Sequence, residues 1–151
     1  MITIAFKPSG NTNPRRREYA VLEQLLDAPV RNGSDLADLA TERVGVSVID
    51  RLAEHGLKAD ELAFIIPRRT LTHRRQQNER LSTDESDKAI RLAKILAQAT
   101  ATFDNAEKAI RWLRNPQKKF SGRTPLDMAS TEHGARLVEE AIGQIDEGYF
   151  A

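Results

Sequence analysis

Arg68, Arg69, Arg74, Arg75 and Arg80 stand within thirteen residues of a chain whose formal net charge is only +1. Guanidinium groups donate in pairs to phosphate and to guanine edges, so such a run can grip nucleic acid. A solvated helix face has the same composition and needs no partner. On a helical wheel Arg68, Arg69, Thr72, His73 and Gln76 fall away from Leu71, which reads as the inward anchor. Arginine suits guanine and glutamine suits adenine, while Thr70, Thr72 and the further arginines Arg74 and Arg75 suit phosphates. Which arginine reads a base stays open at this level.

Other chemistry finds little support. His55, His73 and His133 are too scattered for metal-ligand spacing, and neither a phosphate-cradling glycine loop nor a Gly-x-Ser-x-Gly elbow occurs. Asp84, Glu85 and Asp87 could be a metal cluster, but carboxylates at a helix start more often complement its dipole and cap its donors. The absence of cysteine removes disulfides, thiolate catalysis and thiolate-bound zinc. The expectation is a protein without catalytic residues, metal or cofactor. No run approaches the ~20 apolar residues of a membrane span, and MITIAFKPSG lacks a signal-peptide core, so a soluble protein, cytoplasmic by default, is expected.

The elements that must position these residues are helical. Apolar residues make up 40% of the chain and aromatics only 5%, so a core would consist of Leu, Ile, Ala and Val. Ile2 to Phe6 suggests one short strand or an extended arm, KPSGNTNPRRR a loop, and Arg17 to Ala28 a helix broken by VRNGSDL. From Val44 the period is clear. VGVSVIDRLAEHG ends at Gly56, LKADELAFII gives a second short helix, and Pro67 opens a third, basic one. Three short helices with tight breaks have the layout of a helix-turn-helix. Ser82 to Glu85 forms a capping box for a long helix, Asp104 with Glu107 starts another, Thr124 to Asp127 a short one, and TEHGARLVEEAIGQIDEG the last. That last helix is expected to turn Leu137, Val138, Ala141, Ile142 and Ile145 inward, with Gly148 as its cap. The fold class is all-α, divided as an N-terminal arm and helix (1–45), a helix-turn-helix region (46–80) and a C-terminal helical domain (81–151).

Two aromatic features remain. Trp112 lies in AIRWLR beside Ala109, Ile110 and Leu113, which favours a core or interdomain place over a partner anchor. Tyr149 and Phe150 follow the Gly148 cap and could fold back on the last helix or enter a partner's pocket.

RRTLTHRR (68–75), LSTDESD (81–87), FDNAEKAIRWLRNP (103–116), GRTPLDMAST (122–131) and IDEGYFA (145–151) occur in order and at compatible spacings. Together they resemble the Xre/MbcA/ParS group of antitoxins over roughly Val48 to Ala151. The departures are Pro67 in place of a small polar residue and Phe120 in place of an aliphatic one.

The resemblance implies an Xre/Cro-like helix-turn-helix that represses its own operon, followed by a C-terminal toxin-binding domain. The implied partners are operator DNA and a RES-domain toxin that destroys NAD. DNA would be met by Arg68, Arg69, Thr70, Thr72, His73, Arg74, Arg75 and Gln76. The toxin would be met by Glu139, Glu140, Ile145, Gly148, Tyr149, Phe150 and Ala151, with the chain end covering its active site and the Ala151 carboxylate standing in for a phosphate. Short recognition helices read few base pairs, so a homodimer on paired half-sites is expected, with Ile90, Ala93, Leu96 and Ala97 as candidate interface positions. The competing readings are a stand-alone helix-turn-helix repressor and an interaction-only antitoxin that no longer binds DNA.

Overall fold

The computed structural model describes residues 14–148, so the expected strand at Ile2–Phe6 and the terminal Tyr149, Phe150 and Ala151 lie outside the described residues. In chain order the helices are α1 (Pro14–Leu26), α2 (Gly33–Glu42), α3 (Ser47–Glu54), α4 (Ala59–Leu62), α5 (Arg68–Gln76), α6 (Thr83–Phe103), α7 (Ala106–Leu113), α8 (Pro125–Met128) and α9 (Glu132–Asp146). A 3-10 turn, Lys118–Phe120, separates α7 from α8. No strand occurs among the described residues.

Helix α6 organises the rest. Its 21 residues span about 31 Å at 1.5 Å per residue. Ala89, Ile90, Leu92, Ala93, Ile95, Leu96, Ala97 and Ala99 are all buried. A stripe with Asp87, Arg91, Lys94 and Gln98 is left at the surface; so wide an apolar face has to be covered, and α1, α2, α3, α7 and α9 cover it. The alanines let the surrounding helices approach closely, and the leucines and isoleucines fill the spaces between them. Consequently Ile90, Ala93, Leu96 and Ala97, candidates for a dimer interface although core packing is the commoner role for each, take the core role within a single chain.

Side-chain caps set the helix starts. Ser82 Oγ accepts from Glu85 N at 3.1 Å while Glu85 Oε1 accepts from Ser82 N at 2.7 Å, as expected of a capping box. Thr124 and Asp127 do the same for α8. The cap of α7 is Asn105, whose side chain accepts from Lys108 N at 2.9 Å. Asp104, expected in that role, instead ends α6 in the left-handed conformation. Pro67 is the extended residue immediately before α5, so its missing N–H falls outside the helical bonds. Gly56 ends α3 with φ +120°, a conformation costly for any other residue.

Three further expectations need correction. Helix α2 occupies part of the stretch read as a break. Asn32 caps it by accepting from Asp35 N at 3.1 Å, and Leu36, Leu39 and Ala40 follow at helical spacing. Helix α1 begins at Pro14, so Arg15, Arg16 and Arg17 belong to its first turn rather than to a loop. Arg17 bonds Asp104 at 2.6 Å and so ties α1 to the end of α6. Leu137, expected inward, is 47% exposed. Val138, Ala141 and Ile142 already fill the α9 face toward the core, and Leu137, about 100° round the helix from their centre, falls on the exposed flank between them and Arg136 and Glu140.

The loop before α3 is locked to the loop before α6 by two reciprocal arginines. Arg43 Nε donates to Leu81 O at 2.7 Å and its Nη2 to Arg80 O at 3.1 Å. Arg80 Nη1 donates back to Glu42 O at 3.2 Å. Beneath them Ser86, wholly buried, accepts from Val44 N at 2.9 Å. These bonds hold the start of the helix-turn-helix against the central helix, which fixes the platform from which α5 projects.

Candidate functional site

Helix α5 has no buried residue. Its only apolar side chain, Leu71, is half-buried and packs on the core. It lines an apolar hollow with Ile49, Ala53, Leu62 and Ile66. That single anchor sets the rotation of the helix. With about 100° per residue, Arg69, His73 and Gln76 lie roughly 140–160° from Leu71 and Thr72 about 100° from it, whereas Arg68, only about 60° away, stands on the rim of the hollow. All five are exposed.

The remaining arginines of α5, the half-buried Arg74 and the exposed Arg75, are each paired with carboxylates of neighbouring segments. Arg74 Nε lies 3.0 Å from Glu85 Oε1, and Arg74 Nη1 lies 3.5 Å from Glu79 Oε2. Arg75 forms a fork with Asp50, at 2.9 Å and 2.8 Å to its two oxygens. The Asp50 hydrogen bonds hold the Arg75 guanidinium more firmly charged than usual. Thr72 Oγ1 donates to Arg68 O at 3.0 Å, and Thr70 is half-buried. Of the eight residues named from the sequence, five therefore form one outward face, while Arg74 and Arg75 brace α5 against α6 and α3.

A connection that no sequence motif announces joins this unit to the C-terminal half. Arg114 donates from Nε to Glu61 Oε2 at 2.8 Å and from Nη2 to Glu61 Oε1 at 2.7 Å. The same Nη2 reaches Gly56 O at 2.7 Å. The hydrogen bond from Arg114 holds the Glu61 carboxyl below its ordinary range, against the opposing effect of burial. Fifty-three residues separate the partners, so local spacing gives no hint of the pair. Nearby, His55 Nε2 lies 3.3 Å from Thr100 Oγ1, and burial depresses its basicity.

The C-terminal candidates divide likewise. Glu139 is half-buried on the α6 side, with Oε1 3.5 Å from Lys94 Nζ and its carbonyl accepting from Gln98 at 3.2 Å. Glu140 is exposed, Ile145 half-buried, and Gly148 exposed with φ +85°. Trp112 is half-buried against Phe103, with ring centroids 5.9 Å apart, in keeping with the expected packing role. The carboxylates at the start of α6 serve as caps and surface pairs, with Asp84 to Lys88 at 3.2 Å and Asp87 to Arg91 at 3.3 Å. No group of three or more His, Asp or Glu among the described residues could hold a metal ion. No helix among the described residues is long and apolar enough to cross a membrane.

Comparison with known proteins accounts for both halves. Residues 35–94 match the Antitoxin Xre-like helix-turn-helix domain, and residues 98–148 match the Antitoxin Xre/MbcA/ParS C-terminal toxin-binding domain. The first match includes α2, so the likeness reaches further toward the N-terminus than the motifs alone indicated. The chain is 42% identical over 135 residues to the Antitoxin Xre of Pseudomonas putida, covering 87% of this chain and 85% of that one. It is 31% identical over 151 residues to the Antitoxin Xre of Yersinia enterocolitica, covering 97% and 99%. A Prs ADP-ribosylating antitoxin of a Sphingobium species is 33% identical over 91 residues, covering 54% of this chain and 57% of that one. All three relatives are antitoxins by name. With both domain models matched in order and the two Antitoxin Xre relatives similar along most of their length, the chain belongs to the Xre/MbcA/ParS antitoxin family, as an antitoxin of a toxin–antitoxin system carrying a helix-turn-helix domain.

Proposed function

We propose that this antitoxin neutralises a RES-domain toxin that degrades NAD, covering the toxin's active site with its C-terminal region, and that as a homodimer it represses its own operon through α5. The observation that carries the DNA half is the sorting of α5. Arg68, Arg69, Thr72, His73 and Gln76 face outward, while Leu71, Arg74 and Arg75 fix the helix from behind. A recognition helix needs both properties, because base edges are read only by side chains held in a fixed register. For the toxin half, Glu140, Ile145 and Gly148 lead along α9 toward Tyr149, Phe150 and Ala151, which carry the plug. The match of residues 98–148 to a toxin-binding domain supports a toxin contact by this half of the chain.

Separate variants test the two halves. Arg69→Ala should abolish repression of a reporter driven by the operon's promoter while cells remain protected from the toxin. Residues appended after Ala151 should do the reverse. Survival undiminished by the extension would remove the plug, and repression undiminished by Arg69→Ala would remove α5 from operator reading. A second reading, an interaction-only antitoxin, draws support from the neutralisation of Arg74 and Arg75, which leaves α5 less cationic than its composition suggests. Size measurement of the free chain tests the homodimer.

A further inference from the structure

The positive charge that α5 spends on internal bridges is matched by a second cationic surface in the C-terminal half. Between Asn105 and Leu126 the chain has six basic residues and one carboxylate, Glu107. Only Arg114 has a carboxylate partner, Glu61. Lys108, Arg111, Lys118, Lys119 and Arg123 are exposed, and none forms an ion pair among the described residues. Such a concentration contrasts with α9, whose outward Glu132, Glu140, Asp146 and Glu147 have the opposite sign.

The loop that carries three of these cations is held in shape. Gln117 N donates to Arg123 O at 3.1 Å and Gly122 N returns to Gln117 O at 2.9 Å, so the loop is closed at its base. Phe120 is buried and pins its middle. Arg123 Nε donates to Phe120 O at 3.1 Å. Lys118 and Lys119 therefore stand on a fixed turn.

Placement gives the surface a partner. Arg114 ties the end of α7 to Glu61 of α4 and to the Gly56 carbonyl between α3 and α4. Arg111 and Arg114 line one wall of a cleft of roughly 640 Å³ whose other wall is His55 and Gly56. Arg114 thus adjoins α4 and Arg111 the turn before it, while Lys118 and Lys119 follow four and five residues after Arg114; α4 is the first helix of the helix-turn-helix pair, the helix that crosses the DNA backbone when its partner enters the groove. Trp112, the aromatic among them, is occupied by Phe103 rather than offered for stacking on an unpaired base. Lysines on a turn, without an aromatic platform, suit duplex phosphates.

We infer that Lys108, Arg111, Lys118, Lys119 and Arg123 form an auxiliary contact with the phosphate backbone of DNA beside the site held by α5. This rests on the operator-binding reading above. The contact adds affinity without base readout, because phosphate contacts position a protein and base contacts specify the sequence. It also gives the toxin-binding half a direct share in DNA binding.

The test is a salt titration of the full-length chain on two duplexes, the DNA upstream of its own gene and a scrambled duplex of equal length. Each phosphate that a cation neutralises contributes about 0.9 to the slope of log K against log salt. Lys118→Ala/Lys119→Ala should therefore lower that slope by about 1.8 on both duplexes. Specificity between the duplexes and capture of the toxin should be unchanged. Arg111→Gln should lower the slope by about 0.9 in the same way. Circular dichroism checks folding, and Arg123→Lys, which keeps the charge, should retain the wild-type slope. Wild-type slopes in both neutral variants would overturn the inference while leaving operator binding by α5 intact. Loss of toxin capture with an unchanged slope would overturn it in favour of an acidic toxin surface. An intact protein that binds neither duplex would overturn it together with the repressor reading.

Discussion

Helix α9 contains two glycines for which alanine should have opposite effects. A Cβ at Gly134 would sit 1.9 Å from the carbonyl oxygen of Met128 and 2.8 Å from its carbonyl carbon. Those are backbone atoms, so no side-chain rotation can relieve the collision, and α8 must separate from α9. Overpacking of a filled interior costs ~1–3 kcal/mol, and a backbone collision this close belongs at the upper end. A Cβ at Gly143 would meet nothing within 4 Å. There the ordinary preference of helices for alanine over glycine applies, a gain of about 0.5–1 kcal/mol. For a chain of this size each kcal/mol moves the melting temperature by about 2–4 °C. Gly134→Ala should therefore melt roughly 6–12 °C below the parent, and Gly143→Ala about 1–4 °C above it. Thermal unfolding followed by circular dichroism measures both in one series. If Gly134→Ala melts at or above the parent, the close approach of α8 to α9 is wrong. If Gly143→Ala falls as far as Gly134→Ala, the helix rejects any side chain and the Met128 contact explains nothing.

Three further outcomes follow from the bonds around the helix-turn-helix. Arg114→Ala should cost about 1–2 kcal/mol at neutral pH, the value of a charged hydrogen bond trimmed for partial exposure. The Arg114 hydrogen bond holds the folded Glu61 carboxyl below its ordinary range, so the Arg114 contribution should be complete above the ordinary carboxylate range and shrink as pH falls through the depressed folded value. Urea unfolding at neutral and acidic pH reads this, and an equal loss at both would refute it. Ser86→Ala should cost about 1–3 kcal/mol by stranding the buried Val44 N–H, and hydrogen exchange at Val44 should quicken; unchanged protection would count against the bond. Arg74→Ala should destabilise by about 1–3 kcal/mol because it leaves the mostly buried Glu85 without its cation. Arg69→Ala, on the exposed face, should stay within about 0.5 kcal/mol. Equal unfolding midpoints for those two variants would contradict the division of α5 into a bracing side and a reading side.

What was legible in the chain depended on how local the cause was. Ser82 with Glu85 and Thr124 with Asp127 lie three residues apart, so each capping box can be read directly. The inner and outer sides of α5 follow from Leu71 alone, since one apolar residue orients a nine-residue helix. Competition between sides is harder to read. Leu137 looks as apolar as Val138, but only one of the two can face α6, and the neighbouring Ala141 and Ile142 decide which. Asp104 and Asn105 are both capable caps, and the left-handed turn at Asp104 leaves the bond to Asn105. Partners distant in sequence carry no local signal at all. The commitment of Arg75 to Asp50, and of Arg114 to Glu61, spans 25 and 53 residues, and each changes a cation's availability. Counting arginines therefore overstates the charge of α5 and overlooks the patch around Lys118.

That redistribution bears on how one small chain can serve two partners. The buried residues of α6 pack against helices from both halves, and residues 35–94 and 98–148 meet within that helix. Loss of a large side chain such as Leu96 or Ile95, both fully buried, would cost ~2–5 kcal/mol and weaken both activities together. Division of labour must then reside in what projects from the shared core. The outward arc of α5 and the outward side of α9 are held by different contacts, Leu71 with Arg74 and Arg75 in one case, Val138 with Ile142 in the other. Substitutions on either surface can therefore change one binding event without loosening the support of the other. Arg114 is the exception, because it anchors α7 to α4 directly. If the two binding events influence each other, this ion pair offers the shortest physical connection between them.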